Sequence, residues 1–280
     1  MLTATSEPYS PRVATLGVRD ALGAGRREYR TATPFPHAAL ESFFDDDLLD
    51  AVAAEFAPPQ EMSVAFDDAT SVKAAEPRWE AFGPSTRRLL AEMHSEPFLD
   101  GLTQLTGIKG LVPDPYLFGG GQHQIARGGN LRVHADFNRH PRLGLDRRLN
   151  VLLYLNRDWD DDWGGHLELW DERMERAVVR VAPSFNTMVA FSTTSTSFHG
   201  HPSPLACPPG VTRRSIALYY YTVSPGDRPP AHSTLWQARP GEAPPPRRRL
   251  TAATRHFRAG AKELAPDWLI ERLHRGDKRR

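Results

Sequence analysis

The sequence predicts a mainly β protein of the α+β class, with a jelly roll at its centre and helices on both sides. In 280 residues there are 25 prolines and 21 glycines, which favours strands and loops over a helical bundle. Short apolar runs separated by turn residues follow one another from residue 122 to residue 222, as in a β-sandwich or barrel. The predicted strands are Gln122–Ala126, Leu131–Asp136, Leu149–Asn156, His166–Trp170, Ala177–Ala182, Thr187–Thr193, Ser195–His199 and Arg213–Thr222.

The N-terminal part of the chain is predicted to support these strands from outside. Residues 1–33 are polar and contain prolines, so we interpret them as a weakly ordered arm. Apolar residues from Phe43 to Phe56 recur at helical spacing, and Asp45–Asp47 offers an N-cap. Further helices are predicted at Pro84–His94 and Pro97–Leu105, with loops at residues 57–78 and 107–121.

The C-terminal part is predicted to be a proline-rich segment followed by a basic helical tail. Residues 247–280 carry eleven Lys or Arg against four Asp or Glu, and helices are predicted at Thr251–Leu264 and Pro266–Arg275. A solvated tail is favoured over one that binds nucleic acid. The predicted division is therefore an arm (1–33), a domain (34–223) and a tail (224–280), the domain comprising helical support (34–115) and a β core (116–223).

The cysteine content and hydropathy indicate a cytoplasmic protein without a membrane partner. Cys207 is the single cysteine, so an internal disulfide is excluded and a reducing compartment is favoured. No run approaches the roughly 20 apolar residues of a membrane span. The first residues lack the charged and apolar regions of a signal peptide.

A candidate metal site begins at His134 and Asp136. On a strand, residues i and i+2 point to the same face, so an imidazole and a carboxylate stand side by side. A second histidine would complete a 2-His-1-carboxylate set, which is typical of non-heme Fe(II) sites with open coordination positions. About eight short strands with metal ligands on inward faces fit a jelly roll of the cupin type.

The second histidine is predicted to be His199, with His201 as the alternative. Both have the same strand parity, so alternation does not separate them. His199 ends a run in which every residue can donate to a neighbouring strand. His201, by contrast, precedes Pro202 at the expected exit of the strand. A metal ligand must be held closely, which favours His199.

Two further segments carry a resemblance to a known family. The first segment is Leu149-Asn150-Val151-Leu152-Leu153-Tyr154-Leu155-Asn156-Arg157-Asp158-Trp159, followed by Gly164-Gly165-His166-Leu167-Glu168-Leu169-Trp170. The second segment is Thr212-Arg213-Arg214-Ser215, which begins the last strand. Together with the His-x-Asp triplet, this order resembles the iron(II)- and 2-oxoglutarate-dependent dioxygenases of the prolyl 4-hydroxylase type over roughly residues 116–223. The resemblance implies a double-stranded β-helix.

The resemblance also implies cofactors and roles. Fe(II) would be held by His134, Asp136 and His199, and 2-oxoglutarate would be the cosubstrate, with ascorbate as a further candidate cofactor. Arg213 would bind the distal carboxylate of 2-oxoglutarate, which suits a guanidinium, and Ser215 shares its strand face. The reaction with O2 would hydroxylate an unactivated C–H bond and release succinate and CO2.

In some prolyl hydroxylases, the residue just before the Tyr-Leu-Asn segment is a tyrosine, and this tyrosine contacts 2-oxoglutarate. Leu153 is at that position here, so Gln124 is a candidate for the missing hydrogen bond. His123, His140 and His166 are predicted to be surface or loop residues.

Two other functions use the same ligands. One is a non-catalytic cupin-like module that binds or senses a metal, which would not need a keto-acid clamp at Arg213. The other is a zinc hydrolase. The substrate of an oxygenase could be a peptidyl residue, an amino acid or a natural-product intermediate, and the oligomeric state stays open.

Overall fold

The structure is a computed structural model that describes residues 21–223 and 230–244. Its helices are α1 (Arg26–Thr31), α2 (Asp46–Ala54), α3 (Pro84–Met93) and α4 (Glu96–Thr106). Its strands are β1 (His37–Glu41), β2 (Val64–Asp68), β3 (Ser71–Glu76), β4 (Val112–Pro113), β5 (Gly121–Ala126), β6 (Leu131–Ala135), β7 (Asp146–Tyr154), β8 (Leu167–Trp170), β9 (Ala177–Val181), β10 (Thr187–Ser192), β11 (His199–His201), β12 (Thr212–Thr222) and β13 (Leu235–Trp236). Short 3-10 turns lie at Pro59–Glu61, Trp79–Ala81 and Asp161–Trp163.

The strands join into one antiparallel sheet that folds over itself as a double-stranded β-helix, which confirms the predicted fold class. The order across it is β1-β10-β7-β12-β5-β3-β6-β11-β8-β9. The strands β2, β4 and β13 are attached to β3, β12 and β6, respectively. The two ends of this order meet in an apolar cluster that contains Tyr154 of β7, Leu169 of β8 and Phe191 of β10.

The main core lies between the helices and one face of the strands β7, β10 and β12. Leu149, Val151 and Leu153 of β7 belong to this core, together with Leu90 of α3 and Leu102 of α4. The intervening residues of β7 point to the opposite face, which is the interior of the barrel. The helices therefore cover one side of the sheet and leave its other side free to form a site.

Helix α2 forms where the apolar spacing predicted it. Asp45 is its N-cap, and the carboxylate accepts a hydrogen bond from the backbone N–H of Leu48 at 3.1 Å. Leu49 and Val52 form its buried face. The predicted helices over residues 84–94 and 97–105 are also present, as α3 and α4.

Residues 57–78 were predicted to be a loop, and this prediction was wrong. They contain the hairpin β2–β3, whose turn is closed by the Asp68 carboxylate accepting from the N–H groups of Thr70 and Ser71. Strand β3 lies between β5 and β6 and pairs with both. The hairpin therefore links the two halves of the barrel.

The segment before residue 34 also differs from the prediction within its described part. Residues 26–31 form α1, and Tyr29 is 1% exposed, with its hydroxyl 2.8 Å from Ser192 Oγ. Strand β1, which was not predicted, pairs with β10. The division into arm, domain and tail stays a prediction, and the predicted C-terminal helices lie outside the described residues.

The strand predicted at Ser195–His199 is displaced toward the C-terminus, to His199–His201. The hydroxyl of Ser197 accepts from the N–H of Thr194 and donates to the carbonyl of Thr194, so residues 194–197 form a turn. Among residues 21–223 and 230–244, no helix is long and apolar enough to cross a membrane.

Candidate functional site

His134, Asp136 and His199 meet at one wall of the barrel interior. His134 and His199 are directly paired across β6 and β11. The Nε2 atom of His134 lies 3.6 Å from Asp136 Oδ1, and that of His199 lies 3.5 Å from Asp136 Oδ2. One potential ligand atom from each residue lies within 4.8 Å of the other two. This is the spacing that a single metal ion requires.

Backbone carbonyls orient both imidazoles. Nδ1 of His134 lies 2.8 Å from the carbonyl of Arg132, and Nδ1 of His199 lies 3.0 Å from the carbonyl of Ser197. A carbonyl only accepts hydrogen bonds, so in the neutral ring Nδ1 carries the proton. Nε2 then presents its lone pair toward Asp136, which is the tautomer that binds a metal.

A second group of polar side chains fixes the carboxylate of Asp136. Asn150 Nδ2 donates to Oδ2 at 2.7 Å, and Arg147 Nη2 lies 3.0 Å from the same oxygen. Arg147 also donates to Asn150 Oδ1 through Nε and Nη2. The guanidinium is buried and lies 3.5 Å from the centre of the Tyr219 ring.

Burial and neighbouring charges keep Asp136 and His199 in the protonation states that a metal needs. Burial alone would raise the pKa of Asp136, but the Arg147 guanidinium and the two histidines hold it well below its ordinary value. Burial, together with the neighbouring His134, lowers the pKa of His199 to about 4. At neutral pH, Asp136 is therefore ionised and His199 is neutral.

His134, Asp136 and His199 line one wall of a cavity of about 180 Å³, and Arg213 lies on another wall. Arg213 Nε donates to the carbonyl of Gly165 at 2.7 Å, and Nη2 donates to the Tyr154 hydroxyl at 3.2 Å. Gly165 has a φ of +76°, and a Cβ there would lie 2.7 Å from Leu205 Cδ2. The second glycine of the Gly164-Gly165 pair is therefore needed for close packing beneath Arg213.

Ser215 lines the same cavity, but Gln124 does not. Gln124 lies on the opposite face of β5, where its amide donates to the carbonyl of Ala57 and accepts from the Thr212 hydroxyl. The proposed cosubstrate contact of Gln124 is therefore corrected, because strand alternation turns its side chain away. Arg214 points to the same outer side, with its Nε 3.2 Å from Gln124 Oε1.

The structure brings His199, not His201, to Asp136. Both histidines lie on β11, so the expectation that only His199 is held by a strand was wrong. They are separated instead by position along the cavity, because His199 pairs with His134 whereas His201 pairs with Leu131. The β6 segment has one extra residue between these pairs, a bulge that turns both Leu131 and His134 inward.

Two histidines expected at the surface are buried. His140 is 0% exposed, and its Nε2 lies 3.1 Å from Asp114 Oδ1. His123 is 8% exposed and lines the cavity, with its Nε2 3.1 Å from the carbonyl of Gly119. His166 is the most exposed of the three and lies 3.2 Å from Asp161.

Sequence reasoning missed five residues of this site: Arg147, Asn150, Tyr154, Lys73 and Trp236. Tyr154 is in the Tyr-Leu-Asn segment itself, one position after Leu153, and alternation along β7 would have placed it inside with Asn150. Lys73 and Trp236 lie in segments without a recognisable pattern. Trp236 is on β13, and its ring centre lies 4.9 Å from that of His134.

The donor set fits a divalent transition metal. Two imidazole nitrogens and one carboxylate oxygen on one side of a cavity leave further coordination positions open, as in mononuclear non-heme Fe(II) sites. A double-stranded β-helix with such a set defines a class of metal-dependent barrel proteins.

Comparisons with known proteins specify this class. Residues 121–221 match the model of the 2OG-Fe(II) oxygenase superfamily. This part of the chain is therefore similar to the 2OG-Fe(II) oxygenases. A search of curated protein sequences found no match.

Solved structures show the same fold. A prolyl 4-hydroxylase from Pseudomonas putida is 21% identical, with a TM-score of 0.52, and the alignment covers 72% of this chain and 100% of that chain. A prolyl hydroxylase from Trichoplax adhaerens, in complex with a hypoxia-inducible-factor peptide fragment, is 16% identical, with a TM-score of 0.50. That alignment covers 78% of this chain and 94% of the other.

Proposed function

We propose that the protein is an Fe(II)- and 2-oxoglutarate-dependent oxygenase that hydroxylates an unactivated C–H bond, with succinate and CO2 as co-products. One observation carries the proposal. A single cavity has the candidate ligands His134, Asp136 and His199 on one wall and Arg213 on another, and the guanidinium of Arg213 is held by the Tyr154 hydroxyl. A metal binder without a keto acid would have no need for that second group.

In this proposal, the three ligands hold Fe(II), and 2-oxoglutarate completes the site. When bound, these two groups supply the oxidising chemistry in which one oxygen atom of O2 enters succinate and the other enters the product. Asn150 and Arg147 fix the orientation of Asp136 and keep it ionised. The presence of a carboxylate ligand favours hydroxylation over halogenation, for which relatives leave that position to a halide.

Arg213 binds the distal carboxylate of 2-oxoglutarate. Its Nε is occupied by the carbonyl of Gly165, which fixes the guanidinium plane, and Tyr154 lies beside its Nη2. The Tyr154 hydroxyl accepts a hydrogen bond from Nη2 and so helps to hold Arg213 in place. Ser215 is paired with Tyr154 and lines the cavity as a further donor.

The substrate would enter past the aromatic side chains Phe137, Tyr219 and Trp236. The candidate substrate classes remain a peptidyl residue, an amino acid and a natural-product intermediate. The peptide complex of the Trichoplax relative supports the first of them. The same proposal includes ascorbate as a reductant that returns iron to Fe(II). It also includes a location in the reducing cytoplasm, which suits the buried thiol of Cys207.

The test is turnover of 2-oxoglutarate without added substrate. Anaerobically prepared Fe(II) protein is exposed to O2, and succinate and O2 consumption are measured with and without ascorbate. Slow uncoupled succinate formation, absent from Asp136→Ala, is expected. If 2-oxoglutarate does not bind and no succinate forms, the protein is a metal-binding module. Hydrolytic activity with zinc and no O2 consumption would assign it to the hydrolases.

A further inference from the structure

The hairpin β2–β3 brings charged and polar side chains into the cavity from outside the matched domain. Strand β3 lies before residue 121, where the match to the oxygenase superfamily begins, yet it pairs with both β5 and β6. Ser71 and Lys73 are on the face of β3 that lines the cavity. The hairpin therefore contributes to the lining as well as to the closure of the barrel.

Lys73 forms no salt bridge within residues 21–223 and 230–244, and the opposite charge that acts on it, from a longer distance, is that of Asp136. Its Nζ lies 5.1 Å from the centre of the Phe66 ring, which is opposite Lys73 in the hairpin. Lys73 is half-buried, and the loss of hydration, together with the like charges of Arg147 and Arg213, lowers its pKa to about 8. A cation–π contact offsets only part of this cost.

Three polar atoms close to Lys73 have no hydrogen-bond partner within the described part of the chain. They are Oγ of Ser71 and both ring nitrogens of His201. Ser71 is 3% exposed and His201 is 4% exposed, and both line the cavity. Leaving such groups unpaired costs free energy, so their presence together indicates a polar ligand in this part of the cavity.

The strand register places these groups near Arg213. Ser71 and His201 are both paired with Leu131, so they lie in one row across three strands. Ile125 of β5 is paired with Arg213, and β5 lies between Arg213 and the hairpin. Long side chains from the two flanking strands can meet over Ile125, whose side chain lines the floor between them.

The charge of the lining points to an anion. Lys73, Arg147 and Arg213 are positive, whereas Asp68 and Asp136 are negative, and a bound divalent metal adds further positive charge. Arg147 is already compensated by Asp136. Lys73 and Arg213 are therefore the two cations of this cavity that form no salt bridge within the described ranges.

We propose that the distal carboxylate of 2-oxoglutarate is bound between two cations, Arg213 of the barrel and Lys73 of the hairpin, with Ser71 and His201 as neutral donors beside Ser215. This inference rests on the function proposed above. Lys73 is then a binding residue for the cosubstrate that lies outside the matched domain. Binding of 2-oxoglutarate also ties the hairpin to the barrel.

The experiment compares two keto acids on the anaerobic Mn(II)-loaded protein by calorimetry. The first ligand is 2-oxoglutarate, and the second is 2-oxopentanoate, which keeps the metal-binding end but has a methyl group in place of the distal carboxylate. Both Lys73→Met and Lys73→Gln are measured, so that the comparison does not depend on one variant folding. Lys109→Met, at an exposed lysine, is the matched control.

The Lys73 variants should bind 2-oxoglutarate about 10- to 100-fold more weakly than the wild type, because one charge-assisted hydrogen bond is lost. Their affinity for 2-oxopentanoate should be unchanged, and Lys73→Arg should retain most of the affinity for 2-oxoglutarate. Equal 2-oxoglutarate affinity in wild type and variants would overturn the inference, as would an equal loss for both ligands. If the wild type itself fails to bind 2-oxoglutarate, the proposed function fails.

Hydrogen exchange gives a second readout, independent of catalysis. Addition of 2-oxoglutarate should slow exchange of the β3 amides at residues 71–76 in the wild type. The same addition should have no such effect in Lys73→Met, and 2-oxopentanoate should have none in either protein. Protection of the hairpin by both keto acids would show that the contact does not involve the distal carboxylate.

Discussion

Replacing Arg147 with methionine should destabilise the metal-free protein by about 3–5 kcal/mol, the usual cost of leaving one member of a buried ion pair alone. Arg147 is 3% exposed, and its Nη2 lies 3.0 Å from Asp136 Oδ2. Methionine keeps much of the aliphatic bulk against Tyr219 but removes the charge and both hydrogen bonds to Asn150. The Asp136 carboxylate is then buried with Asn150 as its main donor.

Asp136 gives this loss a pH dependence. Its folded pKa is depressed, so its ionisation stabilises the fold above the ordinary carboxyl range, and this contribution disappears as pH falls through the folded pKa. Without Arg147, burial raises that folded pKa. The difference between variant and wild type should therefore be largest at neutral pH and should shrink as pH falls below about 4.

The assay is urea unfolding followed by circular dichroism, first with a chelator and then with Mn(II). The metal should reduce the difference, because it compensates Asp136 in the variant. Arg148→Met is the control, since Arg148 is exposed and makes a 3.3 Å bond to Thr222 Oγ1, and its loss should cost under about 1 kcal/mol. Stability of Arg147→Met within about 1 kcal/mol of the wild type in chelator would refute the reasoning.

Three further outcomes are expected. His199→Ala should lose iron, as measured by metal analysis, whereas His201→Ala should keep it, because His201 pairs with Leu131 rather than with His134; loss from His201→Ala alone would reverse the assignment. Arg213→Met should weaken 2-oxoglutarate binding more than a hundredfold, because removing one member of a buried charge pair costs about 3–5 kcal/mol. Arg214→Met should leave that affinity nearly unchanged in the same titration, because its side chain lies on the outer face. Truncation after Pro246 should leave uncoupled succinate formation measurable, and loss of the folded circular dichroism spectrum would show that the tail is needed for packing.

The alternation of apolar and polar residues predicted the barrel strands in which each residue suits the face to which it points. Leu149, Val151 and Leu153 meet the helices, and the segment reads as a strand from sequence alone. The metal ligands could be predicted for the same reason, because His134 and Asp136 share a parity that any strand would preserve. Family resemblance added Arg213, whose position at the start of the last strand follows the same alternation.

Strand β3 of the hairpin was not predicted because two of its inward residues are polar. In β3, the cavity face carries Ser71 and Lys73, while the apolar Val72 points outward and is 36% exposed. Half-buried strands are recognised by apolar residues that point inward and polar residues that point outward, and β3 has the opposite arrangement at these positions. Sites that bind a polar ligand tend to break local rules in this way, so the same feature that hid the hairpin indicates its role.

The burial of His140 could not be predicted because its partner is distant in sequence. His140 is buried against Asp114, 26 residues earlier, and neither residue has a neighbour that signals the pair. The position of His201 likewise depends on the bulge in β6, which no composition or spacing reveals.

Strand β13 has a practical consequence for anyone who wishes to produce the catalytic unit alone. Leu235 and Trp236 pair with Ala135 and His134, so β6, which carries His134 and ends one residue before Asp136, has a neighbour contributed by the chain after residue 223. A fragment ended at residue 221, where the family match stops, would expose the open edge of β6 and remove the indole beside His134. Expression boundaries should therefore be set beyond residue 244, and inhibitors shaped to reach Trp236 would contact a surface that the shorter fragment lacks.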